Sequence, residues 1–234
     1  MKKVLGIIGG MGPLATVKLF ERIVILTDAN SDQENLHILI DNNTKIPDRT
    51  EFILGGKDDP KLELIKSAKR LQEMGADYLI MGCNTAHYFY KDIALEIDIP
   101  FINMIEETIK HVLNFNKDIK KVGLLATSGT VNCGIYHEHF NKHGIDVITP
   151  SEENQIYVTE IMYNIKKGIY DNSLSGFYQA IEEIKTQGVE LIILGCTELS
   201  LAYTMYKLEG DFVDALEILA TRAIEFYGGK VRSF

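Results

Sequence analysis

Gly75-Ala-Asp-Tyr-Leu-Ile-Met-Gly82-Cys83-Asn84-Thr85-Ala86-His87 and Gly188-Val-Glu-Leu-Ile-Ile-Leu-Gly195-Cys196-Thr197-Glu198-Leu199-Ser200 are two copies of one pattern, with glycines and cysteines alike standing 113 residues apart and no gap between them. In each copy a short apolar run bounded by glycine predicts a buried parallel strand. The Gly-Cys pair and the polar residues after it predict strand end, turn and helix start. Each copy therefore sets a thiol at the carboxyl edge of a parallel sheet, the edge at which open α/β sheets bind ligands.

Working outward, the same alternation recurs. Val4 to Ile8 is a strand that runs into Gly9-Gly10-Met11-Gly12-Pro13. A helix from about Leu14 to Thr27 follows, with apolar residues on more than one face, which points to burial against its own sheet and against a second subunit. Leu36 to Ile40 is a strand ahead of the polar loop that holds Pro47-Asp48-Arg49. Asp59-Pro60 then opens a helix closed by Gly75. Ile99 to Asn103 is a short strand, and Glu106 to Phe115 a helix. Lys121 to Ala126 restarts the series, with Thr127-Ser128-Gly129-Thr130 at the turn that Gly9 to Gly12 occupies in the first half. Asp146 to Thr149 is a strand, and Glu152 to Lys167 and Leu174 to Gln187 are helices before the Cys196 strand. Asp211 to Leu216 echoes Pro100 to Ile105, which suggests that the last helix returns to the first half.

Strands alternating with helices predict the α/β class: two pseudo-symmetric parallel-sheet domains, flavodoxin- or Rossmann-like, with the active site in the cleft between them. The expected division is residues 1–104 plus 212–234 for the N-terminal half and 105–211 for the C-terminal half. A length of 234 residues suits two compact halves of this kind.

Lys plus Arg at 24 against Asp plus Glu at 33 gives a net charge of −9, with no basic block, so neither nucleic acid nor an anionic membrane is an expected partner. Three cysteines without paired spacing suit a reducing cytoplasm better than a disulfide framework. Met1-Lys2-Lys3 and the apolar residues after it superficially resemble a secretion signal, but Gly9-Gly10, Gly12 and Pro13 interrupt them. No run approaches the ~20 apolar residues of a membrane span. No metal is expected, because His137 and His139 are too close along a helix to face one ion.

Racemising an α-carbon takes a base on one face and an acid on the other, and two thiols from two repeated halves meet that need. A thiol at a helix N-terminus has its usual pKa of about 8.5 lowered, so that one cysteine can be thiolate while its partner is thiol. A single Gly-Cys is ordinarily a small buried residue at a tight turn. Two at the same position of a repeat reverse that balance. Asn84 and Thr197 place polar groups where a substrate carboxylate needs donors, and Arg49 is suited to bidentate carboxylate binding. Thr127, Ser128 and Thr130 form a hydroxyl-rich turn, at least one of them capping the helix. His87, one turn into the helix after Cys83, could tune the thiolate or hydrogen-bond substrate, but a lone helix histidine is more often structural, and Glu198 orients either the second thiol or a substrate ammonium, or simply favours the helix N-terminus.

Taken together, Ile8-Gly-Gly-Met-Gly-Pro13, Pro47-Asp48-Arg49, Gly82-Cys-Asn-Thr-Ala-His87, Leu125-Ala-Thr-Ser-Gly-Thr130, Lys166 and Gly195-Cys-Thr-Glu198 resemble the aspartate/glutamate racemase family over essentially the whole chain, and within it the aspartate racemases. The resemblance implies cofactor-independent interconversion of L- and D-aspartate with Cys83 and Cys196 as the two catalytic bases. It also implies a substrate site that includes Met11, Arg49, Asn84, Thr85, Thr127, Ser128, Thr130, Lys166, Thr197 and Glu198, a small acidic amino acid as substrate, and a homodimer. Glutamate racemases differ by Asp-Ser after the first strand and a histidine two positions after the second cysteine. Here Gly-Met-Gly and Glu198 stand there. Racemases of broader acidic range, hydantoin racemases and maleate isomerases share the two thiols. Gly10-Met-Gly12-Pro-Leu-Ala15 also fits a dinucleotide fingerprint, which makes a nicotinamide-dependent oxidoreductase a rival. Pro13 and the placement of Asp41 weaken it, and it leaves the cysteine repeat unexplained.

Overall fold

In a computed structural model that describes residues 3–232, the chain divides into two compact units. One comprises residues 1–107 and 216–234, the other residues 108–215. The first contains β1 (Val4–Gly9), α1 (Pro13–Leu26), β2 (His37–Asn42), α2 (Arg49–Ile53), α3 (Lys61–Glu73), β3 (Tyr78–Met81) and α4 (Tyr90–Ala94), and α5 (Met104–Phe115) carries the chain onward. The second contains β4 (Lys121–Ala126), α6 (Ser128–Asn132), α7 (Ile135–Asn141), β5 (Asp146–Ile148), α8 (Glu152–Lys166), α9 (Ser175–Lys185), β6 (Leu191–Gly195), α10 (Thr197–Tyr206) and β7 (Phe212–Asp214), from which α11 (Ala215–Tyr227) returns to the first.

The sheets are parallel and share one plan. In the first, β1 lies between β2 and β3; in the second, β4 lies between β5 and β6, and β7 is added beside β6. The central strands are nearly all apolar, as strands covered on both faces must be. Each carries a glycine at its middle where a helix comes close. A Cβ at Gly6 would strike Leu79 and lie 3.3 Å from Leu71 of α3, and one at Gly123 would lie 2.9 Å from Ile184 of α9. Leu64, Ala68 and Leu71 of α3 fill the first core, and Phe177, Ala180, Ile181 and Ile184 of α9 fill the second.

Two expectations change. Phe212–Asp214, placed by its sequence echo with the first half, pairs with β6 and so belongs to the second sheet; the chain returns to the first unit at Leu216. Ile99 to Asn103 contributes one bridge, Phe101 to Leu79, instead of a strand. Pro100 has no N–H for a ladder, and the Asn103 side chain turns back to accept from the amides of Ile105 and Glu106 at the start of α5. Helix α1 is apolar on two faces, as its composition implies: Leu19 and Ile23 are buried, while Leu14, Val17, Phe20, Val24 and Ile25 are exposed. Among the described residues no helix is long and apolar enough to cross a membrane.

The two repeats also diverge after their cysteines. Thr197 opens an α-helix directly, whereas Thr85–Phe89 is a 3-10 turn. There the His87 Nδ1 lies 2.9 Å from the Cys83 carbonyl oxygen, the acceptor that its own amide would use in an α-helix. The amide bonds to Asn84 O instead. On the far side of the ring, Nε2 accepts from the Met104 amide at 3.1 Å, so the Nδ1–H tautomer is fixed and the imidazole ties the Cys83 turn to the start of α5. Burial pulls the His87 pKa down to about 4, against a smaller opposing effect of the Cys83 carbonyl. A histidine kept neutral in the fold but protonated in the unfolded chain destabilises the fold as pH drops from about 6.5 to about 4, by about 1.4 kcal/mol per unit. Chemical denaturation of wild type and His87→Gln across this range should show the stability gap between them narrowing as pH falls. A constant gap would mean that the ring is already charged in the fold.

Candidate active site

Both repeated cysteines stand just past the ends of buried strands and are themselves buried free thiols, 7% and 6% exposed. In the first unit Cys83 shares a narrow crevice with Met11, Gly9, Thr16 and Gly82, where the ends of β1 and β3 meet. This is the switch point of the sheet, because the connections from β1 to β2 and from β2 to β3 leave to opposite sides. Asn84 and Thr85 follow the thiol and are buried.

Arg49 begins α2, whose N-cap Asp48 accepts from the Glu51 amide. Its side chain is only 9% exposed, yet Nη1 reaches no more than the Pro47 carbonyl at 3.0 Å, and the buried Nε has no partner. A buried guanidinium without a carboxylate costs several kcal/mol relative to water. An anion brought to it therefore has a prepared site.

In the second unit the polar residues around the thiol are tied together. Cys196 is the N-cap of α10, and its Sγ donates to Glu198 Oε2 at 2.8 Å; the Thr197 hydroxyl donates to the same oxygen at 3.2 Å. The helix terminus was expected to make such a thiol acidic. The structure reverses this for Cys196: burial, then the Glu198 charge, push its pKa well above the ordinary thiol value, with Lys166 acting in the opposite direction. Desolvation and a like charge outweigh half a helix dipole. Cys196 is accordingly a thiol at neutral pH.

Lys166, in the last turn of α8, is exposed, with Nζ 5.1 Å from the centre of the Tyr163 ring. Thr127 caps α6, its Oγ1 accepting from the Thr130 amide and lying 3.0 Å from the Thr130 hydroxyl. Thr130 has no exposed surface, so its hydroxyl serves the turn. Ser128 is half-buried and lines a separate cavity of about 520 Å³ together with Asn132, Thr149, Glu152, Gln155 and Thr159. Cys133 closes α6 with its Sγ on the Thr130 carbonyl, and burial raises its pKa, the setting of an inert thiol.

One neighbour of the site escaped the sequence. Tyr136 of α7 is fully buried, bonded to Thr108, and close enough to Cys196 and Asp214 for their charges to reinforce the upward shift that burial gives its phenol. A tyrosine in Ile135-Tyr-His-Glu-His139 carries no motif. The available signal is only that a buried phenol must find a partner. The nucleotide rival weakens further, since Asp41 is held by Ser67 and Arg70, and the Gly10 amide, which a pyrophosphate would use, donates to Thr16 Oγ1.

Known proteins agree with this plan. A broad-specificity amino-acid racemase of Bacillus subtilis is 26% identical over 227 residues, covering 95% of this chain and 97% of that one. A glutamate racemase of Aquifex pyrophilus is 27% identical over 176 residues, 74% of this chain and 67% of its own. The structure of the aspartate racemase of Picrophilus torridus superposes with a TM-score of 0.86 at 30% identity, covering 98% of this chain and 96% of the other. The Asp/Glu/hydantoin racemase family model matches residues 8–223, both cysteine repeats included, and the chain belongs to that family of amino-acid racemases.

Proposed function

We propose that the protein racemises aspartate without a cofactor, in a reducing cytoplasm, with Cys83 and Cys196 as its two bases. The observation that carries this reading is the pair of free, buried thiols at the same strand end of both repeats. Each would take the α-proton from one enantiomer and return a proton to the other face. Arg49 supports an acidic substrate, because its buried, underused guanidinium accepts a carboxylate bidentately. Lys166, Met11, Asn84, Thr85, Thr127, Thr197 and Glu198 complete the proposed substrate contacts, while Thr130 serves the α6 turn and Ser128 lines the separate cavity. The likeness to the Picrophilus torridus enzyme favours aspartate over glutamate, and that to the Bacillus subtilis racemase keeps a wider range as the second reading.

The outward face of α1 is the proposed contact with a second copy. Lys18 and Glu21 pair on the same face, and in an antiparallel pair of α1 helices each can meet the other's opposite charge while Leu14, Val17, Phe20, Val24 and Ile25 are covered. Sedimentation should show a dimer that Val17→Glu converts to monomer. A monomeric wild type would remove this interface.

In deuterated water without added cofactor, L- and D-aspartate should each lose the α-proton signal and racemise, and alanine, with no second carboxylate for Arg49, should exchange far more slowly. No exchange with any acidic amino acid would end the proposal, equal rates on alanine and aspartate would end the role of Arg49, and turnover of a hydantoin or of maleate instead would move the chain to another branch.

The division of labour has its own test. Cys83→Ser and Cys196→Ser should each lose racemisation by several orders of magnitude, since a serine hydroxyl is far too weak an acid to form the base. Elimination from an aspartate analogue with a β-leaving group needs only the abstracting base, so each variant should keep one hand, and the two should keep opposite hands. Retention of the same hand by both would indicate a single base.

A further inference from the structure

A two-base racemase needs each thiol to alternate between acid and base, and the surroundings of Cys196 make that alternation a problem. The residue is 6% exposed, and its Sγ donates at 2.8 Å to Oε2 of Glu198, a residue 4% exposed. Loss of the Cys196 proton to solvent would leave thiolate and carboxylate in contact in a dry setting, a costly pair of like charges. Moving the proton along the existing hydrogen bond avoids this, because it leaves one negative charge on the pair throughout.

Resting on the two-base reading above, we propose that Glu198 is the proton relay of Cys196. The Glu198 carboxylate takes the thiol proton to create the base, and the resulting carboxylic acid gives it back when Cys196 has acted as acid. The steps balance. In the direction in which Cys196 abstracts, the proton passes from Sγ to Oε2, the thiolate takes the α-proton and is a thiol again, and the carbanion takes its new proton from Cys83. The enzyme is left with Cys83 as thiolate and Glu198 protonated. This is the form that turns over the other enantiomer: Cys83 abstracts, Cys196 protonates the carbanion, and Glu198 restores the Cys196 proton. No oxidant or other reactant enters.

The residue is built for both states of the sulfur. Its carboxylate accepts from the thiol, while its backbone amide, also directed at the sulfur, favours the thiolate. The Thr197 hydroxyl donates to the same Oε2 and helps to hold it in place. The charged and titratable groups that face Cys196 are Glu198 on α10, Lys166 on α8 and Tyr136 on α7, with Asp214 beside Tyr136. Lys166 favours the thiolate, and Tyr136, a buried phenol, contributes no charge. Only Glu198 accepts a hydrogen bond from the sulfur among the described contacts.

The test is Glu198→Gln, read in two ways. The rate of elimination from the enantiomer that depends on Cys196 should be flat from about pH 6 to 8 in wild type, since the pair needs no proton from solvent. In the variant it should climb about tenfold per unit, so that the loss is roughly a hundredfold deeper at pH 6 than at pH 8. The opposite enantiomer should keep its wild-type pH profile, and Glu198→Asp should restore flatness. Alkylation of Cys196 by iodoacetamide, followed by peptide mass spectrometry, should move the same way, because it too consumes the thiolate: nearly flat from about pH 6 to 8 in wild type, and in Glu198→Gln slower and climbing about tenfold per unit of pH. A merely structural glutamate would affect both hands alike with parallel pH profiles, and that outcome overturns the inference, as does alkylation that is unchanged or faster in Glu198→Gln. The alkylation arm needs no turnover: a chain that racemised nothing would end the proposed function without ending this pairing, and an unshifted alkylation profile would end the relay with the racemase intact.

Discussion

Parallel pairing between strands that are not neighbours in the chain, β1 with β3 and β4 with β6, is the constraint on which the rest depends. Such pairs need helical crossovers, and a chain that crosses first to one side of its opening strand and then to the other opens a crevice at the carboxyl ends of the two central strands. Cys83 and Cys196 follow directly on the second strand of each such pair, two residues after β3 and one after β6. The crossover helices must also come close to the sheet. Gly6 and Gly123, at matching places in the two central strands, stand where neighbouring strand and crossover helix both crowd in: a Cβ at Gly6 would strike Leu79 of β3 and press on Leu71 of α3, and one at Gly123 would press on Ile184 of α9 and Ile192 of β6. Enlarging either would strain the core by about 1–3 kcal/mol.

A repeat holds backbone geometry and leaves side-chain chemistry free to diverge, and the two thiols illustrate how far. Cys83 has its carbonyl taken by a neutral imidazole, in a turn of 3-10 form that the ring ties to α5. Cys196 has its sulfur taken by a carboxylate, at the start of a true α-helix. Both thiols occupy the same topological place, but only Cys196 donates its S–H to a carboxylate. The proposed two-base mechanism has a use for such a difference: the overall reaction is symmetric in the two enantiomers, yet at any moment one group must be base and the other acid.

Much of the fold was legible in the amino-acid sequence, because parallel strands covered on both faces are apolar runs that cannot hide, and glycine and proline punctuate them. The two apolar faces of α1 were readable for the same reason: periodicity reports where side chains point. What failed was pairing. Whether Phe212–Asp214 joins the first sheet or the second depends on which strand edge is free, and Pro100 turns a strand-like pattern into one bridge; neither follows from local preference.

The site divides along the same line. Sequence by itself determined that two thiols stand at equivalent strand ends, that Arg49 lies in a polar segment after the second strand, and that Glu198 follows the second cysteine by two residues, since these are facts of spacing within a repeat. Only the tertiary structure decided that Arg49 is buried with its Nε unpaired, that Tyr136 comes to lie near Cys196, and that the Glu198 carboxylate turns back onto the sulfur and makes it a weaker acid instead of a stronger one. The reason is physical: a helix terminus acts on a thiol through chain geometry that spacing reveals, whereas desolvation and a facing charge act through space, between groups whose distance is set only when the core closes.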